Sequence, residues 1–245
     1  WYPAQDGSGT RYTESTKMPA RNMTLYAKWE KGLAAPVDIK AEKVSSTSIK
    51  ISWTGITGAT KYYIYRSTSR DGSYVKVGET TSTNYTNTNI PQGQIYYYKL
   101  KSIGSSEGAN SGYSEVGRCA LPLNTPTKIR VEKVSLTSMK VSWSGVSGAT
   151  KYYVYRSTSR DGSYVKVGET RSTSYTNNNM AQGQVYYYKI RAIANHAEGN
   201  SAYSEVGRCA LQLNAPTNMR VEKLSSTSIK ASWNTVNNAV KYEVY

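Results

Sequence analysis

A repeat with a period of 90 residues is the strongest constraint on how this chain folds. Tryptophans and prolines carry the period, at Trp53, Trp143 and Trp233 and at Pro36, Pro126 and Pro216. Residues 61–80, KYYIYRSTSRDGSYVKVGET, recur at 151–170 with a single change, Ile64 to Val154. A fixed period indicates an array of equivalent units. Because solenoid repeats have only about 20–45 residues, each unit is predicted to be a complete small domain.

Each unit is predicted to contain seven strands. Runs rich in Tyr, Val, Ile and Thr are separated by turn residues about every 8–12 positions, as is typical of a β-sandwich. The chain has 23 tyrosines and no phenylalanine, and tyrosine favours strands. The strands predicted in the first unit are 37–43, 48–53, 60–67, 74–79, 82–86, 95–103 and 113–119. We therefore expect an all-β chain of tandem seven-stranded sandwiches.

Side-chain alternation predicts part of the core. Ile49, Ile51 and Trp53 lie on one face of a strand, because successive side chains point to opposite faces. Between two strand runs, the pair Asp71-Gly72 predicts a tight hairpin in which glycine supplies a positive φ. The order Arg70-Asp71-Gly72 differs from the Arg-Gly-Asp motif that integrins bind, so no adhesive role is assigned to it.

Each unit resembles a bacterial fibronectin type III domain. The resemblance rests on the proline that begins the first strand, on Trp53, and on the segments GATKYYIYRS, YYYKLKSI and NSGYSEV. It implies immunoglobulin-like sandwiches at 36–125 and 126–215, and a truncated one at 216–245. Because this fold serves adhesion, spacing and enzyme-accessory roles alike, it predicts no particular chemistry.

The first 31 residues differ from the repeat. They resemble the second half of a Listeria–Bacteroides repeat of the internalin B type, through Trp1, Tyr2, the turn at 7–9 and the segment 25–29. The resemblance implies a partial β-grasp-like module and an extracellular bacterial parent. We expect both end segments, 1–31 and 216–245, to be incomplete modules that are flexible in isolation, since a few strands cannot close a core.

The chain offers few groups for catalysis. His196 is its only histidine, and the first unit has no counterpart to it. The 16 acidic residues form neither a carboxylate pair nor a calcium-binding spacing. We therefore predict that the chain is not an enzyme and holds neither cofactor nor metal.

Charge and hydropathy limit the partners. The net charge is +15 without a polybasic run, which favours weak attraction to acidic polymers over a specific nucleic-acid site. No apolar run approaches the roughly 20 residues of a membrane helix, so no membrane insertion is predicted in this stretch.

The two cysteines, Cys119 and Cys209, occupy the same position in successive units. A disulfide needs Cα atoms within about 7 Å, whereas equivalent points in an end-to-end array lie tens of ångströms apart. We expect free, partly buried thiols. The alternative is that they cross-link neighbouring chains, because one thiol recurs in each unit.

A Tyr/Lys face is the best candidate for binding. If Tyr62 and Ile64 point inward, alternation places tyrosines and cations of two neighbouring strands outside. We call these residues the Tyr/Lys face: Tyr63, Tyr65, Tyr97, Lys99 and Lys101, repeated as Tyr153, Tyr155, Tyr187, Lys189 and Arg191. Tyrosine rings can stack on sugars or bases while cations meet acidic groups. The alternative is that the same residues only stabilise the sheet as cross-strand partners.

These observations favour a non-catalytic spacer or adhesion array in a bacterial cell-surface or secreted protein. The alternative is an accessory region that associates a larger extracellular hydrolase with glycan or cell wall. The expected partners are a cell-wall or host polysaccharide, or a surface protein, together with flanking domains of the parent.

Overall fold

A computed structural model of the protein describes residues 1–5, 8–13, 15–17, 22–27 and 32–245. Its regular structure is β-strand except for two single turns of 3-10 helix, Glu107–Ala109 and Ala197–Gly199. Over the described ranges, no helix has the length and apolar character needed to cross a membrane. The predicted all-β, tandem β-sandwich fold is confirmed.

The first sandwich has seven strands. They are β1 Val37–Ser45, β2 Ser48–Thr54, β3 Lys61–Ser67, β4 Val75–Thr80, β5 Asn84–Asn87, β6 Gln94–Ile103 and β7 Gly117–Leu121. One sheet has the strand order β1-β2-β5 and the other has the order β4-β3-β6-β7. Each predicted strand is present, but β7 begins at Gly117 rather than at 113, because the segment before it is irregular.

The second sandwich repeats this topology. Its strands are β8 Arg130–Ser135, β9 Ser138–Ser142, β10 Lys151–Ser157, β11 Val165–Thr170, β12 Ser174–Asn177, β13 Gln184–Ile193 and β14 Gly207–Leu211. The two sheets have the orders β12-β9-β8 and β11-β10-β13-β14. A final hairpin follows, formed by β15 Arg220–Lys223 and β16 Ile229–Ser232.

Two compact units account for the chain. The first comprises residues 1–41, 50–87 and 97–117, and the second comprises 42–49, 88–96 and 118–245. The whole second sandwich therefore lies in the second unit, together with the β5–β6 connection of the first sandwich.

Alternation along the strands builds the core, as the sequence predicts. Ile49 and Ile51 are fully buried, and Trp53 keeps only 6% of its surface exposed. In the second sandwich the corresponding Trp143 meets Tyr152 edge-to-face, with ring centroids 5.3 Å apart. Both indole N–H groups, of Trp53 and Trp143, are buried without a hydrogen-bond partner among the described residues. These rings therefore contribute by apolar packing rather than by hydrogen bonding.

The Asp71-Gly72 turn differs from the prediction. Gly72 does not adopt a positive φ, because β3 and β4 are joined by a seven-residue connection, 68–74, rather than by a two-residue hairpin. Glycine is needed there for close approach instead: a Cβ at Gly72 would lie 2.9 Å from the Cβ of Ser69. The predicted turn is present, but its backbone conformation was predicted wrongly.

A β-bulge shapes the edge strand β4. Ile64 pairs with Gly78 and Tyr65 pairs with Lys76, so Val77 is an extra residue in β4. The Tyr85 hydroxyl donates a 2.8 Å hydrogen bond to the carbonyl of Val77, which fixes the bulge. The same bulge recurs in β11, where the Tyr175 hydroxyl donates to the carbonyl of Val167 at 2.8 Å.

The end segments contain less regular structure. Tyr2 and Tyr26 form an antiparallel bridge through two 2.8 Å backbone hydrogen bonds. The Listeria–Bacteroides resemblance rests in part on residues 7 and 28–29, which lie outside the described residues. At the other end, β15 is exposed along its length, and β16 is exposed except at Ala231.

Replacing the fully buried Ile190 by alanine tests the second core. We expect Ile190→Ala to lower the free energy of unfolding of the second sandwich by about 2–5 kcal/mol, because it removes packed methyl groups and leaves a cavity. Hydrogen exchange of the slowest amides in β10 and β13 measures this loss, with the first sandwich as an internal reference. Lys140→Ala, at an exposed site of β9, is the control and should change little. Equal protection in both variants would contradict the assigned core.

Candidate ligand-binding face

The register of two paired strands assembles the predicted face. β3 and β6 are antiparallel neighbours, and Tyr63 lies opposite Lys101 while Tyr65 lies opposite Lys99. Tyr97 lies opposite Ser67, at the end of the same ladder. All five residues are half-buried, whereas the alternate residues such as Tyr62 and Tyr98 are in the core. Outward side chains of the two strands therefore form one surface.

The second sandwich presents the same surface. Tyr153 lies opposite Arg191, Tyr155 opposite Lys189, and Ser157 opposite Tyr187. The repeated set thus differs in chemistry at one position, where arginine replaces Lys101. Arg191 also donates a 2.8 Å hydrogen bond from Nε to the carbonyl of Ser201.

Around Tyr63 one carboxylate is shared by two cations. The ammonium groups of Lys76 and Lys61 lie 3.3 and 5.2 Å from the Tyr63 ring centroid. Both lysines also pair with Glu79, at 2.7 Å for Lys76 and 3.1 Å for Lys61. We call Lys61, Tyr63, Lys76 and Glu79 the paired half of the face. Its cations already have an anionic partner.

Proton affinities in the paired half follow from these contacts. Hydrogen bonds from Lys76 and then from Lys61 lower the pKa of the Glu79 carboxyl below its ordinary value of 4.5. The hydrogen bond to Glu79 raises the pKa of Lys61. The corresponding group in the second sandwich behaves alike, because Lys166 and Lys151 lower the pKa of Glu169. Both carboxylates therefore remain charged at neutral pH and are poorly suited to act as general bases.

On the other side of the face, the cations lie beside aromatic rings. Lys99 Nζ lies 4.4 Å from the Tyr74 ring centroid, and Lys101 Nζ lies 4.3 Å from that of Tyr113. Tyr113 also meets Tyr65 edge-to-face, with centroids 5.0 Å apart. Among the described residues, no carboxylate forms an ion pair with Lys99 or Lys101. We call Tyr74, Lys99, Lys101 and Tyr113 the cationic half.

The aromatic rings on this side of the face are partly buried. Burial is the main cause that raises the pKa of both Tyr65 and Tyr74, and neighbouring Tyr113 adds to the shift of Tyr65. Tyr113 remains 48% exposed. The rings therefore form a partly buried platform on which the ammonium groups rest.

Several residues of the face were missed from the sequence. Tyr74 and Tyr113 begin two of the predicted strands, 74–79 and 113–119, but the structure places both in connections, so alternation does not apply to them. Lys61 and Lys76 lie in strands, but only the register of β3 with β4 brings them to Glu79. The 90-residue recurrence of Tyr74 as Tyr164 and of Tyr113 as Tyr203 is the signal that could have identified the aromatic members.

Other candidate groups remain separate from the face. His196 is exposed in the loop before the second 3-10 turn. Cys119 and Cys209 are free and half-buried in β7 and β14, and burial raises the pKa of the Cys119 thiol. Within the described part of the chain, no three His, Cys, Asp or Glu side chains cluster in a way that could hold a metal ion.

The lowered pKa of Glu79 gives a direct test of the paired half. We expect Glu79 to titrate below 4.5 in the unchanged protein, and Lys76→Gln to raise its pKa toward 4.5. Because the folded-state pKa is depressed, the stabilisation from these pairs is present above pH 4.5 and disappears as the pH falls through the lowered pKa. NMR titration of the side-chain carboxyl carbon measures the shift. Lys50→Gln, on the other sheet, is the control, and an equal shift in both variants would contradict the contact.

A comparison with protein families matches part of the chain. Residues 124–207 match the family model of the fibronectin type III domain. The match covers most of the second sandwich, including the strands that carry its Tyr/Lys face.

Longer proteins contain similar sequence. Exoglucanase B of Cellulomonas fimi is 26% identical over 222 residues, which are 81% of this chain and 19% of that protein. A poly(3-hydroxybutyrate) depolymerase of Ralstonia pickettii is 29% identical over 142 residues, or 56% of this chain and 26% of that protein. Tenascin-N of Mus musculus is 24% identical over 237 residues, or 95% of this chain and 14% of that protein. The chain thus spans about a quarter or less of the length of these relatives.

Among solved structures, a segment of two fibronectin type III domains from chicken tenascin superimposes with a TM-score of 0.61 at 16% identity. The alignment covers 72% of this chain and 99% of that one. At this identity the similarity concerns the fold alone. Residues 124–207 therefore match the fibronectin type III domain in sequence, and the chain shares the fold of two such domains in tenascin.

Proposed function

We propose that this chain is a non-catalytic spacer and adhesion array of an extracellular bacterial protein, built from fibronectin type III-like domains at 36–125 and 126–215. The observation that carries the proposal is a leucine of the connecting segment, Leu123, which is buried in the core of the second sandwich. A segment anchored in this way is ordered rather than a free coil, and ordered segments between copies are what a spacer requires.

The contacts of Leu123 lie within the second compact unit. Its side chain keeps 4% of its surface exposed, and its backbone N–H donates a 2.9 Å hydrogen bond to the carbonyl of Gly199. A Cβ at Gly93 would lie 2.9 Å from Leu123 Cδ2, so glycine is required there. The next residue, Asn124, donates from its backbone N–H to Gln92 Oε1 at 2.8 Å. Flexible linkers lack such contacts, because they are free coils.

The same leucine recurs with the period of the repeat. The backbone N–H of Leu33 donates to the carbonyl of Ala109 at 2.9 Å, as Leu123 does to Gly199. A Cβ at Gly183 would lie 3.0 Å from Leu213 Cδ2, which repeats the contact of Gly93 with Leu123. Recurrence supports the same anchored segment in successive copies, as a spacer built from copies would need.

Absence of catalysis is part of the proposal. Exposed His196 stands alone in its loop, and Glu79 and Glu169 are each held by two lysines. These groups are poorly placed to move protons for a substrate. We propose that the chain has no cofactor and that its partners are flanking domains and a cell-wall or host polysaccharide or surface protein.

At the N-terminus, we propose a partial Listeria–Bacteroides repeat. The bridge between Tyr2 and Tyr26 supports this proposal, because it pairs the two segments that carry the resemblance. Such a module is consistent with a cell-surface parent. The final hairpin at 220–232 is proposed to begin a further fibronectin type III-like domain.

An accessory region of a larger extracellular hydrolase is the second candidate. Similarity to an exoglucanase and to a depolymerase favours it. Co-sedimentation of the chain with an insoluble neutral glucan separates the two candidates. An accessory region of a hydrolase that resembles an exoglucanase should pellet with the glucan, whereas a spacer and adhesion array directed at an acidic surface polymer should stay in solution.

Shortening Leu123 tests the anchored segment. The backbone amides of Leu123 and Asn124 should exchange slowly with solvent deuterium in the unchanged protein, because both donate hydrogen bonds. Leu123→Ala should speed their exchange, because truncating a buried leucine costs about 2–5 kcal/mol. Thr125→Ala, at an exposed site in the same segment, should leave the exchange rates unchanged. Fast exchange of both amides before any change at Leu123 would refute the spacer.

A further inference from the structure

Charge divides the Tyr/Lys face into two unlike halves. In the paired half, Glu79 accepts hydrogen bonds from both Lys61 and Lys76. In the cationic half, Lys99 and Lys101 have aromatic contacts and, among the described residues, no ion-pair partner. The strands that carry both halves belong to one sheet, and the halves differ chiefly in unneutralised positive charge.

The second sandwich preserves this division. Lys151 and Lys166 pair with Glu169, at 2.9 and 2.7 Å. Lys189 Nζ instead lies 4.3 Å from the Tyr164 ring centroid, and the Arg191 guanidinium lies 5.5 Å from that of Tyr203. The replacement of Lys101 by Arg191 keeps both the positive charge and the aromatic contact. Each sandwich thus carries a cationic half made of two cations and two tyrosines.

Aromatic contacts restrict the side chains of these cations before an anion binds. A lysine held over a ring samples fewer rotamers than a free one, so less conformational entropy is lost when an anion binds. The ring contact is weak at an exposed site, about 0.5–1 kcal/mol, and does not neutralise the charge. An arriving carboxylate or sulfate therefore meets cations that are already positioned.

We propose that the cationic half of each sandwich binds an acidic polysaccharide, a sugar chain that carries carboxylate or sulfate groups. The site consists of Tyr74, Lys99, Lys101 and Tyr113, repeated as Tyr164, Lys189, Arg191 and Tyr203. The cations contact the acidic groups, and the edges and hydroxyls of the tyrosines contact the sugar rings. The proposal rests on the adhesive role proposed above, to which it adds a ligand class. It does not depend on the anchored segment at Leu123.

The covered rings favour a glycan over nucleic acid. Single-stranded nucleic acids bind through bases stacked on open aromatic faces in a positively charged groove. Here Lys99 lies over the Tyr74 ring, Lys101 lies over the Tyr113 ring, and the side chains project from a sheet face. Bases would have to displace the ammonium groups before they could stack. An acidic sugar chain needs no such displacement.

Repetition makes a weak site useful. Two sites on one chain raise the affinity for a long polymer through effective concentration, although each exposed ion pair contributes little. We therefore expect a measurable affinity for long acidic chains and a much weaker one for a single sugar acid.

A charge-matched pair of variants tests the site. The site variant carries Lys99→Gln, Lys101→Gln, Lys189→Gln and Arg191→Gln. The control variant carries Lys43→Gln, Lys50→Gln, Lys133→Gln and Lys140→Gln, all exposed on the three-stranded sheets and equal in charge. The probe is polygalacturonate at about 0.15 M salt, and binding is measured by calorimetry. We expect the site variant to bind at least about fivefold more weakly than the control.

An NMR titration and a comparison with single-stranded DNA test the site further. Addition of polygalacturonate to the unchanged protein should shift the NMR amide signals of β6 and β13 more than those of β2 and β9, a readout that requires no variant. Equal weakening in both variants, or no binding by the unchanged protein, would overturn the proposal, as would tighter binding of single-stranded DNA than of polygalacturonate. Absence of glycan binding together with slow exchange of the Leu123 and Asn124 amides would count against the glycan site alone and leave the spacer standing.

Discussion

The two-residue alternation along a pair of antiparallel strands is the constraint on which the rest of the structure depends. In β3 and β6 the inward positions supply Tyr62, Ile64, Tyr98 and Leu100 to the core, and all four are nearly or fully buried. The outward positions of the same strands supply the Tyr/Lys face. Since a slip of one residue would exchange the two sets, the core that stabilises the sandwich also fixes the geometry of the candidate site.

The fold was largely predictable because its signals are local or repeated. The 90-residue period defined the units, and alternation in IKISW and KYYIY identified which side chains are buried. The position of β7 and the conformation of Gly72 were less accessible, since both depend on how irregular segments pack. Gly72 shows the limit clearly: its neighbour in space, Ser69, matters more than the turn type that its sequence suggests.

The candidate site was predictable only in part, for a similar reason. In each sandwich the five residues predicted from alternation come together, but the charge of their surroundings is set by residues outside that pattern. Glu79 partly neutralises one side of the face through the register of β3 with β4. Tyr113 reaches the other side from an irregular segment. A sequence pattern can place a side chain on a face without revealing whether its charge is already satisfied.

The bulge at Val77 has a consequence for the behaviour of many copies together. β4 is an outer strand of its sheet, and in an array of near-identical units an outer strand is a template for joining another copy. The extra residue interrupts the regular ladder and increases the local twist, while Lys76 and Glu79 place charges along the same strand. Edge-to-edge strand pairing between near-identical neighbours is thereby disfavoured. The chain can therefore carry several copies of one domain with a lower tendency to form fibrils.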